Sequence, residues 1–238
     1  MNAMRMLLLF CLFVLSAGSG IAGEDSYAQS YAILIKGAVA GTESVTERIA
    51  ENGDLIAVSE HDMLITDGIE TKRMAFATRM VLQKDTLYPV SYSYKYTAGD
   101  SGDFYDVAVK DSQVTRTLQR GERKSEVMVP FKPDMVILDF SVYHQYDYLV
   151  RKYDARKGGR QVFSDFVPVV GDSIPVALTF QGNADLEAGK KTLPVRNYMI
   201  EFVGIWTGSV TTDLAGRLVR LVIPAQDLEV VRKDLLPQ

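Results

Sequence analysis

Turn signals recur about every ten residues along most of this 238-residue chain. They are short glycine, asparagine or aspartate pairs such as Asn52-Gly53, Lys110-Asp111 and Gly182-Asn183. The segments between them are rich in valine, isoleucine, threonine, tyrosine and phenylalanine, which favour strands. Strands joined by tight turns pair with their sequence neighbours. The sequence therefore predicts a long antiparallel meander.

Alternation of large apolar with mostly small or polar residues is clearest between Tyr88 and Thr97, where four tyrosines occupy even-numbered positions. Successive strand side chains point to opposite faces, so these tyrosines should line one face. The preceding strand offers methionine and phenylalanine at matching positions. Two tyrosines of the predicted helix face the same space. We call the combined set the apolar wall: Met63, Met74, Phe76, Met80, Tyr88, Tyr92, Tyr94, Tyr96, Tyr143 and Tyr146.

One helix is predicted, from Asp139 to Asp154, because its apolar residues recur at i, i+3, i+4 and i+7. Asp139 or Ser141 is expected to cap its N-terminus. Five basic residues lie between Arg151 and Arg160. They either complement the helix dipole or contact anionic lipid headgroups, and we favour the first. After the helix, strands are predicted to resume near Arg160.

The predicted fold class is mainly β, with a large curved antiparallel sheet, or half-barrel, and one amphipathic helix on its concave face. No linker or fixed-period repeat divides the chain, so residues 23–238 are expected to form a single domain. An outer-membrane barrel is a competing interpretation of the many strands. The central helix and the absence of a C-terminal aromatic residue argue against it.

Residues 1–22 have the three-part pattern of a secretory signal peptide: Arg5, then an apolar run, then small residues. Gly20 and Ala22 favour cleavage after Ala22, with Ala17 or Gly18 as alternative sites. An uncleaved membrane anchor is the competing interpretation. After cleavage the protein is expected to be periplasmic or secreted, without an integral membrane segment. It would also lack cysteine, because Cys11 is the only one.

Composition excludes several functions. The formal net charge of -4 does not favour nucleic acid as a partner. One cysteine and two histidines do not supply the spacing of a metal site, and no cofactor motif is present. Neither a metal ion nor a cofactor is therefore predicted.

Candidate catalytic residues are few. The chain has no G-x-S-x-G motif, and Gly171-Asp172-Ser173 fits a turn better than a hydrolase signature. His61 is expected in a strand. His144 either pairs with Asp147 one turn later or faces solvent opposite the apolar stripe, and we favour the second. No catalytic residue is assigned, and the protein is expected not to be an enzyme.

Several segments resemble a group of exported bacterial half-barrel proteins loosely related to the lipoprotein carriers LolA and LolB. They are Leu138 to Arg151, the strand ending at Val167-Pro168, Ile205 to Arg232, and the opening Tyr31 to Gly41. In that group the domain closes with a hairpin whose tip resembles Asp213, Gly216, Arg217 and Leu218. The resemblance implies a half-barrel whose cleft could hold an acyl chain. Unlike LolB, this sequence has no lipid-attachment cysteine after its signal.

The apolar wall has two interpretations. It packs beneath the helix as core, or it lines a cleft, since clefts with methionine and aromatic walls suit apolar ligands. The first hypothesis is a non-enzymatic periplasmic binder or carrier of an apolar small molecule or acyl chain. The second is a structural or protein-interaction module of the cell envelope, with the cleft filled by its own side chains.

Overall fold

The computed structural model describes residues 26–67, 70–98, 101–188 and 191–236. These residues form fifteen strands and one α-helix. The first nine strands are β1 (Tyr27–Ile35), β2 (Ala38–Ile49), β3 (Asp54–Asp67), β4 (Glu70–Gln83), β5 (Pro89–Ala98), β6 (Ser101–Lys110), β7 (Gln113–Arg120), β8 (Arg123–Pro130) and β9 (Val136–Ile137). After helix α1 (Gln145–Arg151) come β10 (Arg160–Val167), β11 (Asp172–Ala188), β12 (Lys191–Phe202), β13 (Trp206–Asp213), β14 (Leu218–Ile223) and β15 (Leu228–Arg232).

All fifteen strands belong to one sheet, in the order β8-β7-β6-β5-β4-β3-β2-β1-β15-β14-β13-β12-β11-β10-β9. Every neighbouring pair is antiparallel except β9 and β10, which are parallel. The first and last strands meet inside the sheet, where Ile33 of β1 lies opposite Val230 of β15. The predicted antiparallel meander is confirmed, and β8 and β9 form its two edges.

Strands β4 and β5 show how alternation gives the sheet an apolar inner face. Phe76 lies opposite Tyr96, and Met80 lies opposite Tyr92. Met80 and Tyr92 are each 1% exposed. The intervening Arg79 is on the outer face, as the period of two requires. Burying this inner face requires another layer, which the rest of the chain supplies.

That layer is the central segment, residues 131–159, which joins β8 to β10 and contains β9 and α1. The helix lies where the sequence predicted it but spans only seven residues, Gln145–Arg151. Its N-cap is His144, which makes no capping hydrogen bond with its side chain. The predicted bounds and the predicted N-caps, Asp139 and Ser141, are therefore wrong. Asp139 instead accepts hydrogen bonds from tyrosines, and Ser141 adopts a φ of 66°.

The sheet curls around the central segment, which confirms the predicted half-barrel. Every α1 residue except Arg151 is buried, so the short helix is enclosed rather than lying on a surface. β9 contacts β5 although the two are not paired. Arg116 of β7 packs against Gly171 in the β10–β11 turn, where a Cβ would collide with its guanidinium group. The two ends of the sheet therefore approach each other across the central segment.

The predicted signal peptide, residues 1–22, lies outside the described residues. Within the described ranges, no helix has the length and apolar character needed to cross a bilayer.

Candidate functional site

Buried polar side chains are concentrated where the central segment meets the sheet. Three groups built mainly from these side chains join the central segment to different strands. The histidine cluster is Glu43, His61 and His144; the arginine cluster is Glu47, Asp147 and Arg217; the tyrosine cluster is Tyr92, Tyr105 and Asp139.

The histidine cluster is closed to solvent. Its side chains are at most 1% exposed. Glu43 Oε1 lies 2.5 Å from His144 Nδ1 and 3.5 Å from His61 Nε2. The other carboxylate oxygen of Glu43 accepts a hydrogen bond from the Tyr143 backbone N–H at 3.0 Å. Glu43 therefore fixes the beginning of α1 to the sheet through both of its oxygens.

Strand pairing explains half of this cluster. Glu43 of β2 and His61 of β3 are directly opposite in the register, and both point to the inner face. The His61 ring stacks on Phe76 of β4 with 4.1 Å between ring centroids. His144 arrives from the central segment. The predicted placement of His61 in a strand is confirmed, whereas the favoured placement of His144 on a solvent-exposed surface is wrong.

Burial sets the charge state within this cluster. Loss of hydration lowers the pKa of His61 to about 4, against a weaker opposing effect of Glu43. Burial also raises the pKa of Glu43, but the two histidines more than offset this effect and leave that pKa below its ordinary value. Burial therefore favours the neutral form of His61, and the nearby imidazoles favour the ionised form of Glu43.

Ser59 and Thr78 extend the histidine cluster without forming a catalytic triad. Ser59 Oγ lies 2.8 Å from His61 Nε2 and 2.6 Å from Thr78 Oγ1. In a triad the acid holds the imidazole nitrogen remote from the serine. Here Glu43 is nearest to the same nitrogen, Nε2, and Nδ1 of His61 has no hydrogen-bond partner within the described residues. This geometry does not activate Ser59 as a nucleophile.

The arginine cluster joins α1 to β2 and to the β13–β14 hairpin. Arg217 Nη1 lies 2.7 Å from Glu47 Oε2 and 3.5 Å from Asp147 Oδ2. The Tyr148 hydroxyl donates to Glu47 Oε1, and the Leu218 backbone N–H donates to Asp147 Oδ1. His144 does not form the alternative i+3 pair with Asp147, because its Nδ1 is directed at Glu43.

Arg217 is the only basic side chain within 4 Å of this pair of acids in the described part of the chain. Burial raises the pKa of Asp147 to about 7, an effect that Arg217 reduces and Glu47 increases. Arg217 also covers the ring of Tyr27, with its guanidinium carbon 3.9 Å from the ring centroid. The cluster therefore depends on one guanidinium group for most of its charge balance.

The tyrosine cluster joins the start of the central segment to β5 and β6. Asp139 Oδ2 accepts hydrogen bonds from the hydroxyls of Tyr92, at 2.8 Å, and Tyr105. Burial raises the pKa of Asp139 to about 6, although both tyrosine hydroxyls oppose the increase. Nearby, Asp165 of β10 accepts the Leu138 N–H at 2.8 Å, and burial holds its pKa well above the ordinary range.

The apolar wall is assembled: its strand residues lie under the central segment, which itself contributes Tyr143 and Tyr146. Six of its members are buried and four are half-buried, and all except Tyr88 belong to or pack against one hydrophobic core. The buried members are Met63, Phe76, Met80, Tyr92, Tyr143 and Tyr146, and the half-buried members are Met74, Tyr88, Tyr94 and Tyr96. Contact of these residues with a ligand stays a prediction.

Half-buried wall residues are also covered by the chain itself. Lys152 Nζ lies 4.7 Å from the centroid of the Tyr88 ring and donates a hydrogen bond to the Met135 carbonyl. Tyr94 stacks on Tyr105 with 4.6 Å between ring centroids. A surface groove of about 430 Å³ is lined mainly by residues of the outer face such as Glu60, Asp62 and Arg73, and also by His61 and Phe76.

Sequence reasoning missed the acidic residues that organise this interface. One signal was available in β2, where Glu43 and Glu47 alternate with Val45 on the same face of the strand. An apolar residue between two acids at this spacing indicates that the acids are also directed into the protein, where a charge needs a partner. The hairpin tip containing Arg217 was singled out, and the structure places it between β13 and β14 as expected. Its partners Glu47 and Asp147 were not identified.

Comparison with known proteins supports the fold. No protein-family model matches the sequence, and neither does any curated protein. Among solved structures, the chain is similar to a β-barrel-like protein of the domain of unknown function DUF1849 from Brucella abortus. The TM-score is 0.59 at 7% sequence identity, with 87% of this chain and 94% of the other covered. The similarity shows a β-barrel-like fold, and the relation to LolA and LolB stays a prediction.

Proposed function

We propose that this protein is an exported, non-enzymatic module of the cell envelope that acts through its outer surface. The observation that carries the proposal is the occupation of the concave face by the chain's own central segment. Export is inferred from the signal-peptide pattern of residues 1–22. The apolar wall then serves as core, and partners meet the polar face on the other side of the sheet.

The buried contacts of the central segment favour this proposal over a carrier. A carrier needs space beside its apolar wall, whereas α1 residues such as Leu149 are fully buried there. Vacating the space would separate Glu43 from His144 and Arg217 from Asp147. Separating one buried ionic pair costs about 3–5 kcal/mol. An acyl chain would have to offset several such losses.

Mass spectrometry of organic extracts tests this proposal directly. We expect purified mature protein to yield no lipid in molar proportion, and a fluorescent fatty-acid probe to show no saturable binding. Stoichiometric lipid, with probe binding weakened by Met80→Ala, would support the carrier instead. Met128→Ala is the matched control, because Met128 is 61% exposed and lies outside the wall.

Binding of an envelope partner is tested by comparing a variant of the outer sheet face with a variant of the inner face. We expect cross-linking in envelope extract to capture a partner with the wild-type chain. Charge reversal on the outer face by Arg73→Glu should abolish capture, since Arg73 is largely exposed beside the surface groove. Met80→Ala, which changes only the inner face, should leave capture intact. Capture that depends on Met80 and not on the outer face would contradict the proposal.

A further inference from the structure

The histidine cluster has the donor set of a metal centre. One ligand atom from each of Glu43, His61 and His144 lies within 4.8 Å of the others. Glu43 is in β2, His61 is in β3, and His144 directly precedes α1. They are 18 and 83 residues apart, so the sequence has no short metal-binding motif that would reveal them. Two imidazoles and one carboxylate are a common ligand set for Zn²⁺.

The distances are close to those that an ion requires. Ligands about 2.0–2.1 Å from a tetrahedral Zn²⁺ are separated from one another by about 3.3 Å. The distance from Glu43 Oε1 to His61 Nε2 is already 3.5 Å. The distance from Glu43 Oε1 to His144 Nδ1 is 2.5 Å. This second contact must widen by about 0.8 Å as an ion replaces the hydrogen between the two atoms. The ligand nitrogens of the two histidines lie within 4.8 Å of each other and must also reach about 3.3 Å.

Surrounding groups already orient the ligands. The Tyr143 N–H holds Glu43 through Oε2, which leaves Oε1 directed at both imidazoles. Nδ1 of His61 and Nε2 of His144 have no hydrogen-bond partner in the described ranges, so each of these remote nitrogens can carry the ring proton when an ion replaces the hydrogen between Glu43 and His144. Ser59 Oγ, 2.8 Å from His61 Nε2, is placed to approach the fourth position.

We propose that Glu43, His61 and His144 bind one divalent transition-metal ion of the zinc type, which ties the central segment to β2 and β3. The ligands are buried, so the ion enters while the chain folds. Ion binding to the folded state alone stabilises that state. Mg²⁺ and Ca²⁺ are excluded as occupants because they prefer sites built mainly from oxygen ligands.

Refolding with defined metals tests this site. Mature protein without a histidine tag is unfolded in denaturant with a chelator, dialysed, and refolded with ZnCl₂, with MgCl₂, or with chelator. We expect elemental analysis to find about one zinc per chain after desalting, and a higher melting temperature than in the other two samples. Refolding with Co²⁺ should produce the visible absorption bands of a tetrahedral cobalt site with nitrogen and oxygen ligands.

Variants separate coordination from folding. His61→Gln and His144→Gln should each reduce zinc affinity by at least about tenfold and remove the cobalt bands. Glu47→Gln is the matched control, since it changes a buried carboxylate on the same face of β2 outside the histidine cluster. It should lower stability and retain zinc. Circular dichroism verifies that each variant is folded.

Two results would overturn the site. The first is wild-type protein that refolds to the same melting temperature with zinc and with chelator and retains no ion. The cluster would then be a hydrogen-bonded carboxylate with two imidazoles. The second is full zinc occupancy in a folded chain that carries both histidine substitutions.

Discussion

Arg217→Met is expected to lower the free energy of unfolding by about 3–5 kcal/mol at pH 7.5, the cost of leaving buried acidic groups without their cation. Arg217 lies against both Glu47 and Asp147, which are themselves almost completely buried. Methionine keeps much of the side-chain volume, so the loss is mainly electrostatic. Urea unfolding followed by circular dichroism measures the change.

Arg220→Met provides the matched control. Arg220 is only three residues further along the chain and lies 2.7 Å from Glu229, but both side chains are partly exposed. Exposed pairs contribute about 0–1 kcal/mol, so this variant should unfold almost like the wild type. Equal small losses from both variants would show that Glu47 and Asp147 do not depend on Arg217.

Glu47→Gln combined with Asp147→Asn tests the same cluster from the opposite side. With both acids neutral, Arg217→Met should cost much less than it does in the wild-type background. Such non-additivity is the signature of directly interacting charges. An unchanged cost would assign the effect of Arg217 to its packing over the Tyr27 ring, where its guanidinium carbon lies 3.9 Å from the centroid.

The strands could be predicted because their information is local. Alternation in β5 and turn residues at the hairpins depend on neighbours in sequence. For example, the predicted turn at Lys110-Asp111 is made by Asp111 and Ser112, whose φ angles are 52° and 61°, as a tight hairpin requires. The pairing of β1 with β15 is not local, and the sequence alone did not predict it.

The helix bounds and the environment of His144 could not be predicted because tertiary contacts decide them. Asp139 has the chemistry of an N-cap, but two tyrosine hydroxyls from β5 and β6 engage its carboxylate. His144 lies opposite the apolar stripe of the helix. A residue in that position is exposed to solvent only when the helix packs against the protein on one face alone. Here the sheet surrounds α1, so the polar side of the helix is also buried and meets Glu43.

The same enclosure explains why the sequence of the apolar wall did not show whether the wall binds a ligand or forms part of the core. Methionine and tyrosine on one sheet face are compatible with a ligand or with a protein segment as the covering layer. What covers the wall depends on the path of residues 131–159, and that path is set by acids on β2 and β10. Buried charge on an apolar strand face is thus the informative signal in this sequence.

The stability of Asp165→Asn relative to the wild type is expected to increase as pH rises. Asp165 is fully buried, Oδ1 accepts the Leu138 N–H, and Oδ2 has no hydrogen-bond partner among the described residues. Burial raises the pKa of Asp165 well above its ordinary 3.8, and Asp139 raises it further. The folded chain therefore keeps a proton that the unfolded chain releases above about pH 4.

The sign follows from proton counting. Between about pH 4 and the pKa of folded Asp165, the native state binds more protons than the unfolded state, so rising pH destabilises the wild type by about 1.4 kcal/mol per pH unit from this group. Asparagine does not titrate and retains an oxygen acceptor for Leu138. The difference in unfolding free energy between variant and wild type should therefore grow by up to about 4 kcal/mol from about pH 5 to about pH 8.

Asp62→Asn is the control for this pH series. Asp62 is exposed, and its hydrogen bond from Arg73 lowers its pKa, so it is ionised in both the folded and unfolded states throughout the range used. Its variant should keep a constant offset from the wild type. A constant offset for Asp165→Asn as well would mean that Asp165 is ionised in the folded protein. The buried acids would then need a cation or water to stabilise their charge beneath the sheet.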